Sequence, residues 1–71
     1  MSKTEIEEIK LNFSRFCTRL LRDYNTPKGK RRQVLSNKVI EVTNQLIMLG
    51  ASDKSFHYIN KCYVLTMRKL Q

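Results

Sequence analysis

Three observations predict an all-α fold, a small three-helix bundle with dimerisation left open. Apolar residues recur at helical spacing in three separate stretches, turn-forming residues stand between those stretches, and 71 residues leave room for one domain with one modest core. A chain this short buries only about 60% of the surface its unfolded form exposes, so its stability is expected to lean on good helix packing or on self-association.

Helix one is expected over about residues 4–24. Ser2 with Glu5, and Thr4 with Glu7, have the spacing of a capping box, and Glu5, Glu7 and Glu8 place negative charge at the positive end of the helix dipole. Ile6, Ile9, Phe13, Phe16, Cys17, Leu20, Leu21 and Tyr24 mark one face. On the other side Arg15, Arg19 and Arg22, at spacings of four and three, project together into solvent.

Asn25-Thr26-Pro27-Lys28-Gly29 interrupts this pattern, and a basic loop is predicted over about residues 25–32. The alternative keeps much of it helical, with Thr26 as N-cap and Pro27 in the first helical position. In both cases Lys28, Lys30, Arg31 and Arg32 crowd the start of helix two, where like charges repel one another and oppose the dipole. An anion such as phosphate would offset them.

Helix two, about residues 31–49, carries the clearest signal. Leu35, Val39, Val42, Leu46 and Leu49 recur at spacings of four, three, four and three. Ile40 and Ile47 lie beside this seam and are expected to widen it, which makes the helix the central member of the bundle. Lys38 and Glu41 can pair on its outer side, Asn44 and Gln45 keep that side polar, and Gly50 is the residue type of a left-handed C-cap.

Helix three is expected over about residues 53–70, with Ser52 or Asp53 as N-cap. Phe56, Ile59, Cys62 or Tyr63, Thr66 or Met67, and Leu70 supply its periodic face. Tyr58, Val64 and Leu65 fall partly outside a narrow stripe, which suits a helix wrapped on two sides, a dimer interface or an exposed binding patch. Tyr58 and Tyr63 cannot share one narrow side, so one of the two is available to a partner.

The charge is strongly biased. Lys and Arg number 14 against six Asp and Glu, a formal net charge of +8 with a pI of about 9.9. Arg15, Arg19, Arg22, Lys28, Lys30, Arg31, Arg32 and Lys38 face the single acid Asp23 within one window, which holds +7 of that total. Several cations spread over one surface are what a polyphosphate backbone demands, with binding that weakens steeply in salt. The expected function is therefore a non-enzymatic, regulatory or architectural nucleic-acid-binding protein, DNA being favoured over RNA, with these eight residues as phosphate contacts. Reversing Arg31 and Arg32 to Glu is expected to abolish binding and leave the helices intact.

The alternative is a helical adaptor or inhibitor subunit that docks on an acidic surface of a larger protein, or a homodimer built through helix three. Membrane-surface binding through the apolar face of helix one is a third class. No stretch approaches membrane-spanning length and no signal-peptide pattern opens the chain, so an intracellular location is expected, whether cytoplasm, nucleoid or nucleus.

Leu49-Gly50-Ala51-Ser52-Asp53-Lys54-Ser55-Phe56-His57-Tyr58-Ile59-Asn60-Lys61 resembles the turn and recognition helix of helix-turn-helix DNA-binding proteins. Gly50 matches the turn, Ala51 the small position after it, and Phe56 and Ile59 the buried anchors. The resemblance implies that Ser52, Asp53, Lys54, Ser55, His57, Tyr58 and Lys61 face a major groove, with Lys54, His57, Tyr58 and Lys61 as the contacts to expect.

Little else carries chemistry. His57 is the single histidine and has no cysteine or carboxylate arrangement around it, so no metal site and no cofactor is expected. Cys17 and Cys62 lie on or beside apolar stripes, where a buried thiol is the ordinary reading. Ser14, Ser36 and Ser55 have no recognisable activating base, and no glycine-rich loop is present to cradle a nucleotide. Tyr24 is expected to cover the edge of the core, with stacking on an unpaired base as its functional alternative.

Overall fold

In the computed structural model, which describes residues 2–71, the chain forms three helices: α1 Ser2–Arg22, α2 Lys28–Met48 and α3 Asp53–Lys69. The molecule is 38 Å long and 16 by 15 Å across. Helices of 21 and 17 residues span about 30 and about 25 Å at the α-helical rise, more than that cross-section can hold crosswise. They therefore run up, down and up along the long axis, each packed on the other two. One pole gathers the end of α1, the start of α2 and the end of α3. The opposite pole gathers the remaining three termini.

α1 begins at Ser2, earlier than the sequence suggests, so Thr4 lies inside the helix and cannot cap it. The Ser2–Glu5 capping pair lies outside the described side chains. After Arg22 the chain turns through a hydrogen bond from the Thr26 hydroxyl to Asp23 Oδ2 at 2.7 Å, and from Thr26 N–H to the Asp23 carbonyl at 3.3 Å.

The predicted basic loop over residues 25–32 is shorter than expected. Pro27 is the N-cap of α2, with φ −56° and ψ 148°, and Arg31 N–H already bonds to the Pro27 carbonyl at 3.0 Å. Lys28 to Arg32 are thus helical, because proline before the first turn pre-sets the chain and gives up no needed N–H.

The other end of α2 closes as its glycine implies. Gly50 has φ +67°, Ala51 N–H bonds to the Leu46 carbonyl at 3.0 Å and Gly50 N–H to the Ile47 carbonyl at 3.1 Å. This is a Schellman turn. Ser52 then stands at the N-cap of α3, its carbonyl accepting from Ser55 N–H at 3.0 Å.

The core is drawn evenly from the helices: Phe13, Cys17 and Leu20; Leu35, Val42 and Leu46; Ile59 and Leu70. Burying each of the large side chains contributes about 1.5–3 kcal/mol. Ile9, Phe16, Val39, Phe56, Tyr63 and Met67 pack around them, half-buried.

Ile40 and Ile47 do not widen the seam. Each is 61% exposed. They stand two and five residues from Val42, about 160° and 140° round the helix at 3.6 residues per turn, so they face away from the core. α2 is accordingly a peripheral member like its two neighbours. The apolar face of α1, by contrast, turns toward the core, with Phe13, Cys17 and Leu20 buried and Ile6, Ile9, Phe16 and Leu21 half-buried. Among the described residues, no helix is long and apolar enough to cross a membrane.

Candidate nucleic-acid interface

The antiparallel course of α2 brings cations from three helices to one pole. α1 ends with Arg19 and Arg22, α2 begins with Lys28, Lys30, Arg31 and Arg32, and α3 ends with Arg68 and Lys69. Among the described residues Asp23 is the acid at this pole, leaving +7 of the chain's +8 there. Glu5, Glu7, Glu8 and Asp53 lie toward the opposite pole, in the opening turns of α1 and at the start of α3.

These cations divide into two groups. Arg31 is 94% buried, its residue exposure being 6%, and its Nη1 donates to the Leu20 carbonyl at 3.1 Å and the Leu21 carbonyl at 3.4 Å. Arg32 is half-buried and donates through Nη1 to the Leu70 carbonyl. Lys28, although exposed, places Nζ 3.2 Å from the Gln71 carbonyl. The last carbonyls of a helix have no partners within it and carry the negative end of the dipole. The first turn of α2 therefore caps its two neighbours.

This arrangement answers the electrostatic question posed by the crowded bases. The positive end of α2 is outweighed by two negative helix ends beside it, so the offset expected from a phosphate is supplied in part by peptide carbonyls. Arg31 is consequently a structural residue here. Reversing it to Glu would set a carboxylate against two carbonyl oxygens and disrupt the pole, so the helices would not stay intact as the sequence reading expects. Its Nε is buried without a hydrogen-bond partner, an additional desolvation penalty.

The second group is exposed: Arg19, Arg22 and Lys30, joined by Arg68 and Lys69. Lys28 remains accessible beside them. Arg68 and Lys69 escape the sequence pattern because they lie 30 and 31 residues beyond Lys38, where the basic window ends. A three-helix up-down-up count would have found them, since it places the first and third C-termini together. Tyr24, expected at the core edge, is 84% exposed in the turn at this pole, outside the last turn of α1.

The other candidates lie elsewhere. Arg15 is exposed but set back by about 10 Å from Arg22 along α1. Lys38 is half-buried between α1 and α2, with Nζ 2.8 Å from Glu41 Oε2 and 5.5 Å from the centre of the Phe16 ring. The same groove, lined by Phe16, Val34, Asn37, Lys38 and Glu41, is shallow and open to solvent.

The helix-turn-helix resemblance meets the structure only in part. Ile59 is buried and Phe56 half-buried, as the anchors should be, and Lys54, His57 and Lys61 are exposed. Yet such motifs cross their two helices at a steep angle, whereas α2 and α3 both follow the long axis. α2 and α3 thus lie nearer to a common axis than the two helices of such a motif do. Tyr58 is also exposed, at 37%, with Lys10 Nζ 5.1 Å from its ring centre, whereas Tyr63 packs on the core.

Cys17 and Cys62 are free thiols on facing helices. Burial pushes the Cys17 thiol above its ordinary value of 9.0, a hydrogen bond with Thr66 partly opposing that rise. Such a thiol is a packing group at neutral pH. Among the described residues no group of three or more His, Cys, Asp or Glu side chains converges as a metal site. Comparison with protein-family models, with curated proteins and with solved structures finds no match to this chain, which leaves its own geometry as the ground for any functional reading.

Proposed function

We propose that this protein is a non-enzymatic nucleic-acid-binding module that grips phosphates with its basic pole. The observation that carries the reading is the convergence of Arg19, Arg22, Lys28, Lys30, Arg68 and Lys69, from all three helices, with Asp23 as the neighbouring acid. Carbonyl capping accounts for Arg31 and Arg32, and dipole complementarity for part of the benefit of the bases that end α1 and α3. Neither explains a cation at Lys30, in the opening turn of α2. Tyr24 stands by as a flat, solvent-exposed ring able to stack on an unpaired base.

The pole is small. About four to six phosphates can be met by such a set, which corresponds to a slope of about −4 to −5 in log affinity against log salt for duplex DNA. Fluorescence anisotropy of labelled duplex and single-stranded oligonucleotides, titrated at several salt concentrations, measures that slope. Charge reversal at the exposed pair Arg19 and Arg22 should remove binding with the circular dichroism spectrum unchanged. Absence of binding by the unaltered protein at low salt would overturn the proposal and transfer the pole to an acidic protein partner.

A further inference from the structure

α2 turns an unusual face to solvent. Ile40 and Ile47 are 61% exposed and Met48 is 86% exposed. Ile40 and Ile47 are one heptad apart, and on the same side of the helix stand Ser36, Asn37, Thr43 and Asn44. Glu41, the charged residue nearest this strip, stands at its margin and is paired with Lys38, which lies on the side toward α1. In a chain with 28% charged residues and a net charge of +8, an uncharged strip of this length needs a cause.

From it we infer that the protein forms a two-fold homodimer in which the outer faces of α2 pack antiparallel. The occupant is a second copy because the strip is self-complementary. A two-fold axis passing between Thr43 and Asn44 sets Ile40 against Ile47 of the partner subunit, and the same contact recurs on the other side of the axis. The serine and threonine beside the isoleucines are small enough to let the helices approach. The two asparagines of each strand of the seam can hydrogen-bond across it, and such polar groups fix register.

Charge sets the direction. Packed helices lie about 8–10 Å apart, so a parallel pair would place two poles of +7 side by side within about one Debye length. An antiparallel pair sends the two poles to opposite extremities. It also brings the acidic starts of α1 toward the middle of the assembly. An acidic partner protein would be drawn to the basic pole and not to this neutral strip. The inference is independent of what the poles bind.

Sedimentation equilibrium over a range of concentrations tests it. The unaltered protein should move from 8.4 kDa toward twice that mass as concentration rises. Ile40→Glu and Ile47→Glu should each weaken association about tenfold or more, since a carboxylate would then be buried at the seam. Leu65→Glu, at an exposed apolar position on α3, should associate like the unaltered protein. Asn44→Arg gives a second, independent probe at an exposed polar position, with circular dichroism as the check on folding.

Register is read by oxidative crosslinking. A mixture of Ile40→Cys and Ile47→Cys proteins should crosslink more than either alone. Stronger crosslinking of each single variant with itself would mean a parallel pair and overturn the inference. So would a protein that stays at 8.4 kDa up to about 1 mM, or a dimer that Ile40→Glu and Asn44→Arg leave untouched.

Discussion

The two turns of this bundle end their helices by different means. At Gly50 the backbone does it: a left-handed residue folds two N–H groups back onto the carbonyls of Leu46 and Ile47. At the basic pole, side chains take that part, with Arg31 reaching the Leu20 and Leu21 carbonyls and Arg32 the Leu70 carbonyl. The first device is local, spanning a few residues of one helix. The second ties α2 to both of its neighbours, and it explains how a run of cations can begin a helix without an acid beside it.

The largest effect should come from the second device. Arg31→Ala leaves the Leu21 carbonyl without the guanidinium and opens a void where the arginine stem packed, so a loss of about 2–3 kcal/mol in unfolding free energy is expected by urea denaturation. Gly50→Ala tests the first device. A methyl group there would meet nothing within 4 Å, so the penalty is that of a positive φ alone, about 1 kcal/mol. The smallest effect belongs to Lys30→Ala. Its side chain is exposed, so stability should stay within about 0.5 kcal/mol of the unaltered protein. Its oligonucleotide affinity should still fall, with the salt slope shallower by about one.

Much of the fold could be read from local pattern. The seam of Leu35, Val42 and Leu46, the glycine C-cap and the periodic face of Ile59 and Leu70 all depend on spacings of three and four or on one residue's backbone freedom. Residue type read without its angular place misses direction. Ile40 and Ile47 are as apolar as Leu46, and only their angular place on the helix turns them outward. Arg31 and Lys30 are adjacent and alike in charge. One is buried and the other exposed because consecutive helical residues point about 100° apart. Arg68 and Lys69 became legible only with the topology, since their nearness to Arg22 depends on the course of the whole chain.

The basic cluster is thus two clusters with different work, an inner one that closes helix ends and an outer one that faces solvent. The most direct test is to measure urea unfolding midpoints of Arg31→Ala and Lys30→Ala beside the unaltered protein. The division predicts a clear drop in midpoint for Arg31→Ala and none for Lys30→Ala. Equal midpoints for the two variants would contradict it, and Arg31 would return to the set of solvent-facing cations.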